Sequence, residues 1–187
     1  MQDRDPAEMP LPEQVREEAE RGLRRRIGDA AFDDTVGTAS PTWNPNANWI
    51  VRSLAMSGTT VFAGGDFSSV GGNARLNVAA IDSSGAVVPL FDANANNSVY
   101  VLAVNGATVY AGGAFTTVGG VARSRLAAMN TDGTLESWSP NANGDVNALV
   151  VSGSNVYAGG SFTQVYGQTR NRLAAVTTAG VLDAWNP

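Results

Sequence analysis

Apolar and polar residues alternate along this chain in short runs that return on a fixed beat. The clearest set is VNALVV (146–151), NVYAGGSF (155–162), RLAAVT (172–177) and VLDAW (181–185). Each run is brief, rich in Val, Leu, Tyr or Ala, and bounded by Gly, Asn, Ser or Thr, which is the pattern of β-strands and their turns. SGSN (152–155) and TAG (178–180) are hairpin-sized connections. The same four runs occur earlier as VYVLAV, TVYAGGAF, RLAAMN and TLESW, and before that as IVRSLAM, TVFAGGDF, NVAAID and AVVPLF. Apolar spacing of 3.6 residues is missing from all of them, so two-helix repeats of similar period do not fit.

The beat is set by Phe67, Phe115 and Phe162, which lie 48 and 47 residues apart. Four antiparallel strands in about 47 residues make one blade of a β-propeller. The expected fold class is therefore all-β: a β-propeller fragment of three four-stranded blades over 44–91, 92–138 and 139–185. The phrase TVGTASPTW (35–43) matches the fourth strand of a preceding blade and adds an orphan strand. The paired glycines Gly64 and Gly65, Gly112 and Gly113, Gly159 and Gly160 end the second strand of each blade, where they permit a bulge or a close approach of backbone. Phe67, Phe115 and Phe162, with Trp43, Phe91, Trp138 and Trp185 at the end of each fourth strand, are expected to pack blade on blade. Arg75, Arg123 and Arg170 precede each third strand. Their equivalence assigns them a structural task, expected to be hydrogen bonding to the carbonyls or loop of a neighbouring blade.

VYAGGSFTQVYGQTRNRLAAVTTAGVLDAWNP resembles the delta-60 repeat of bacterial propellers, and a similar GGxF phrase occurs in kelch-like fungal cortical cell-polarity proteins. The resemblance covers residues 36–187. It departs at Tyr166, where the other copies have Gly71 and Gly119, and at Asn77, where they have Arg125 and Arg172. It implies a propeller in exported or surface-anchored proteins, and it supplies no catalytic residue.

Composition divides the chain. Residues 1–40 carry six Arg against ten Asp or Glu, whereas residues 41–187 carry six Arg against seven acids. Residues 1–34 are expected to form a charged helical N-terminal extension, with Val15, Ala19, Leu23 and Ile27 as an apolar stripe at i+4 spacing and Pro12 near its first turn. No basic cluster suggests nucleic acid. No apolar run approaches the ~18 residues of a membrane span, and MQDRDPAEMPLPEQ lacks the apolar stretch of a secretory signal.

Chemistry is sparse. All twelve basic residues are Arg, and His and Cys are absent. A Ser nucleophile therefore has no His base, zinc and copper lack their usual ligands, and a phosphate-cradling loop lacks its Lys. The acids fall at unrelated repeat positions, which weighs against the paired carboxylates of a glycan hydrolase or lyase. No cofactor is expected; the oxygens of NPNAN (44–48), DANAN (92–96) and SPNAN (139–143) would suit calcium, although calcium sites prefer several carboxylates and Asn-rich loops usually make turns. These loops open on one face, and Asn46, Asn48, Asn94, Asn96, Asn141 and Asn143 form a candidate ligand-binding arc there. Trp49 and Tyr166 break the repeat and are candidate stacking surfaces for a sugar. The expected role is non-catalytic recognition or scaffolding, with a protein or glycan as partner, the alternatives being a carbohydrate-active enzyme or a fragment of a larger surface protein. Three blades do not close a ring. An uncovered sheet face of roughly 300–600 Å² forgoes on the order of 8–15 kcal/mol, so a cover is expected: further blades beyond these, a second copy that completes a six-bladed ring by self-association, or the N-terminal segment.

Overall fold

The computed structural model describes residues 43–187. The expected helix at 1–34 and all but the last residue of the orphan strand at 35–43 lie outside the described residues. Those described are all-β, in three repeated units. The first unit holds β1 (Val51–Ser57), β2 (Thr60–Gly65), the short β3 (Ser69–Val70) and β4 (Asn73–Ala74), and β5 (Val78–Ile81). The second holds β6 (Val99–Asn105), β7 (Thr108–Gly113), β8 (Thr117–Val118), β9 (Val121–Ala122) and β10 (Leu126–Asn130). The third holds β11 (Val146–Ser152), β12 (Asn155–Gly160), β13 (Gln164–Val165), β14 (Gln168–Thr169) and β15 (Leu173–Thr177). In each unit the three longer strands form one antiparallel sheet with the second strand in the middle, and the two short strands form a separate hairpin.

The blades thus have three strands rather than four. The fourth runs touch their sheets through single bridges, Val87 to Ile81, Leu135 to Met129 and Leu182 to Val176. Arginine explains the shortfall. One guanidinium nitrogen of Arg75, Arg123 and Arg170 donates to the carbonyl of Pro89, Glu136 and Asp183, at 3.0, 2.7 and 2.9 Å. At Glu136 and Asp183, whose N–H groups bond to Ala128 and Ala175, the arginine takes the carbonyl that would continue the ladder, whereas in the first unit Val88 rather than Pro89 holds that register position. These hydrogen bonds stay within each arginine's own repeat, while Arg75 also reaches Asp92 in the loop of the next unit at 3.5 Å, so the expected contact with a neighbouring loop is made at one of the three.

The two glycines of each pair do different work. At the second one the ladder slips, between Val51 and Ser53, Val99 and Val101, and Val146 and Ala148. A Cβ on Gly65, Gly113 or Gly160 would strike the carbonyl oxygen of Ile50, Ser98 or Asp145. The first glycine faces the next sheet. A Cβ on Gly64 would lie 2.7 Å from Val99 Cγ1, and one on Gly112 would lie 2.7 Å from Val146 Cγ1.

Two of the three core clusters lie between neighbouring sheets. One cluster joins Phe62, Val78, Ala80 and Phe91 of the first unit to Val99, Leu102, Phe115 and Met129 of the second. Another joins Tyr110, Leu126, Ala128 and Trp138 of the second to Val146, Leu149, Phe162 and Val176 of the third. A third surrounds Phe67, Val70, Ile81 and Val87, with Trp43 packed against it. Phe62 meets Phe91 edge-on with centroids 5.2 Å apart, and Tyr110 meets Trp138 likewise at 5.1 Å. Trp185 keeps an edge contact with Tyr157 but is exposed, unlike Phe91 and Trp138, because among the described residues no sheet follows it.

The glycines make a prediction internal to one chain. Gly112→Ala forces Val146 and Val101 to move and should cost roughly 1–3 kcal/mol. Gly159→Ala, where the nearest atom is 3.6 Å away, should be close to neutral in dilute solution. Urea unfolding of the two variants checks the difference.

Candidate functional site

β1, β6 and β11 pack alongside one another, so the first strand of every sheet lines the inner side of the arc. The repeat puts residues 52, 100 and 147 at one register position, just inside the leading end of these strands. Residues 66, 114 and 161 share a second position, just beyond the second strand. At the first position stand Arg52, Tyr100 and Asn147, and at the second Asp66, Ala114 and Ser161. Arg52, Tyr100, Asn147 and Ser161, with Asp145, line a cavity of about 480 Å³.

Its polar groups are ordered by one another. Arg52 Nε donates to both carboxylate oxygens of Asp66 at 2.9 and 3.0 Å, and Nη2 donates to Oδ2 at 2.5 Å. The guanidinium carbon also sits 5.4 Å from the centroid of the Tyr100 ring, within cation–π range. The hydrogen bonds from Arg52 hold the Asp66 carboxyl below its ordinary range, and Asp66 raises the arginine in turn. Asp145 lies 3.5 Å from Arg125 Nε. Among the described residues no three or more His, Cys, Asp or Glu gather where they could hold a metal ion.

The Asn-rich loops are occupied with the fold. Asn48, Asn96 and Asn143 each accept two backbone N–H groups through Oδ1, at 2.8–3.0 Å, and donate Nδ2 to Ser68, Thr116 or Thr163. Asn94 and Asn141 reach back the other way, accepting the N–H of Leu76 and Ser124 in the preceding unit. Each loop therefore staples one unit to the next. Asn46, Asn94 and Asn141 hold φ of 50°, 38° and 50°, a left-handed backbone that Asn tolerates better than most residues. Asn46 alone has no side-chain partner among the described residues, since its mates bond to a unit that precedes them. Five of the six loop asparagines therefore act as structural straps.

Of the two repeat-breaking aromatics, Tyr166 stays partly exposed but is tied back to its own unit. Its hydroxyl donates to the Gly180 carbonyl at 2.8 Å, its φ is 52° where its mates are glycine, and burial raises its phenol pKa. Trp49 stands free, largely exposed two residues before β1, at the same end of the arc as the cavity. Sequence reasoning missed Arg52, Tyr100, Asn147 and Ser161. The signal was present, because repeat mates that differ at an inner-strand position are released from the packing rule that fixes the others.

A family model described as a domain of unknown function, DUF5122 β-propeller, matches residues 108–137. The match supports a β-propeller fold for the repeated units. No curated protein matches the chain. The computationally designed Ika8 protein is similar in structure at a TM-score of 0.57 and 15% identity, over 83% of this chain and 42% of that one. The designed Ika4 protein gives 0.49 and 15%, over 75% of this chain and 93% of its own. The propeller repeats described here therefore span less than half the length of Ika8. Among the described residues no helix is long and apolar enough to cross a membrane.

Two outcomes follow for the site. Asn143→Ala removes the acceptor of two N–H groups and should lower stability by about 1–2 kcal/mol in thermal unfolding. Asp66, Asp82 and Asp132 all have depressed folded values, through Arg52, Ser84 and Thr134 respectively. Their contribution is complete above the unfolded carboxylate value and is lost as pH falls through the lower folded ones. Stability should hold from neutrality to about pH 5 and fall below about pH 4, and Asp66→Asn should flatten that fall.

Proposed function

We propose that this protein is a non-catalytic recognition module that binds a glycan at the leading end of its inner strands. One observation carries the reading: three positions that the repeat makes equivalent bear Arg52, Tyr100 and Asn147, and all three line one open cavity. Packing residues recur from unit to unit, whereas these do not. Guanidinium, amide, phenol, hydroxyl and carboxylate groups in so small a space suit a ligand with many hydroxyls, which both donate and accept. Trp49, exposed at the same end, offers an indole face for a sugar ring.

The carboxylates argue for binding rather than hydrolysis. A glycan hydrolase needs two carboxyl groups facing each other across the sugar, and Asp145 is the one carboxylate among the residues that line the cavity. An exported or surface location, which the repeat's resemblance implies, suits a glycan reader.

A glycan array followed by titration calorimetry tests this. Trp49→Ala and Asn147→Ala should each weaken a bound glycan about tenfold while leaving the β-sheet circular dichroism unchanged, and the glycan should be recovered intact. Equal binding by wild type and both variants, or no binding to any glycan, sinks the proposal. Cleavage of the bound sugar would replace it with the enzymatic reading.

A further inference from the structure

Among the described residues each end of the arc leaves apolar side chains exposed; at the leading end they lie along β1, since Ala63, Phe67, Val70, Ile81 and Val87 there are already buried. Leu54 is 54% exposed, whereas its mates Leu102 and Leu149, each covered by the preceding sheet, are 6% and 7% exposed. Met56 beside it is exposed as well, where Val104 and Val151 are partly buried. At the other end Leu173 is 46% exposed against 0% for Leu126, and Trp185 is 43% exposed against 4% for Trp138. Gly159 has open space where Gly64 and Gly112 meet the valine of the following sheet.

We propose that a second copy of this chain covers both faces, head to tail, so that two arcs of three sheets close into a ring of six. The warrant is continuity with an interface the chain already forms twice, between its first and second and its second and third sheets. Val51 is the repeat mate of Val99 and Val146, and Gly159 is the mate of Gly64 and Gly112, so the contact pair needed at the joint is present on both faces. Head-to-tail contacts make a ring when the rotation closes, and six sheets fall within the ~4–8 blades of closed propellers.

One conflict within such a ring is decided by the structure. The phrase Trp-Asn-Pro stands at 43–45 and again at 185–187, so two tryptophans aim at a single place in each joint. Trp43 is anchored, with Nε1 donating to the Asp82 carbonyl at 3.1 Å, just as Trp138 donates to Thr177 at 2.9 Å. Trp185 is half bare, and among the described residues its indole N–H has no acceptor. Trp185 is therefore the one displaced, and Trp43 of the second copy takes its position against the Tyr157 ring. This assembly is independent of sugar binding.

Sedimentation velocity and native mass spectrometry of the full chain over a range of concentrations test the proposal. The expected species has twice the chain mass. Leu54→Arg, which puts a charge in the joint, and Gly159→Ala, which has room in the single chain but not against a valine, should each raise the dimer dissociation constant at least about tenfold with unchanged circular dichroism. Trp43→Ala should lower dimer content, whereas Trp185→Ala should preserve or increase it. A chain monomeric at every concentration, an open series of larger species, or a dimer indifferent to Gly159→Ala overturns the ring. Equal losses from the two tryptophan variants overturn the exchange.

Discussion

Contact between neighbouring sheets is the constraint on which the rest depends. A three-stranded sheet of four to seven residues per strand is too small to bury its own faces, and two of the three core clusters lie between sheets. That demand accounts for the most repeated feature of the sequence. The first glycine of each pair lets one sheet approach the valine of the next, and the second lets the inner strand slip past its neighbour. The large aromatics fill the gap that remains. Repetition follows from geometry, because each joint must solve the same packing problem with the same side chains.

Polar residues near the joints serve the same end. The loop asparagines reach forward to the short hairpin of their own unit and back to the unit before. Arg123 pins the closing run beside its own hairpin. Side-chain hydrogen bonds replace ladder bonds wherever the chain must turn from one sheet to the next, which is why the fourth run never becomes a strand. These residues occupy loops, where sequence inspection looks for function, yet their hydrogen-bonding capacity is already used by the fold.

Freedom from packing is what marks the candidate site. At the inner-strand position shared by residues 52, 100 and 147 nothing requires the same side chain in every unit, and three different ones occur. The Arg52–Asp66 pair and the Tyr100 ring then form a cluster with no counterpart in the other units. Asymmetry of this kind is the ordinary way for a repeat scaffold to acquire one specific surface.

Much of the fold was legible in the sequence. The 47-residue period, the β-character of each run and the need for small residues at the glycine pair follow from local patterning, because strand alternation and backbone sterics are local properties. The closing runs were misjudged as full strands, since an apolar run does not reveal that an arginine will capture its carbonyl. The asparagine loops looked like a binding arc for a related reason: hydrogen-bond partners some 20 residues away are invisible along the chain. Trp49 could be picked out by its departure from the repeat, but Arg52, Tyr100 and Asn147 acquire meaning only when three strands from different units are laid side by side. Sequence determined the unit and its period. Tertiary structure decided which polar side chains are consumed by packing units together and which are left facing the cavity, because that depends on distances between residues about 47 positions apart.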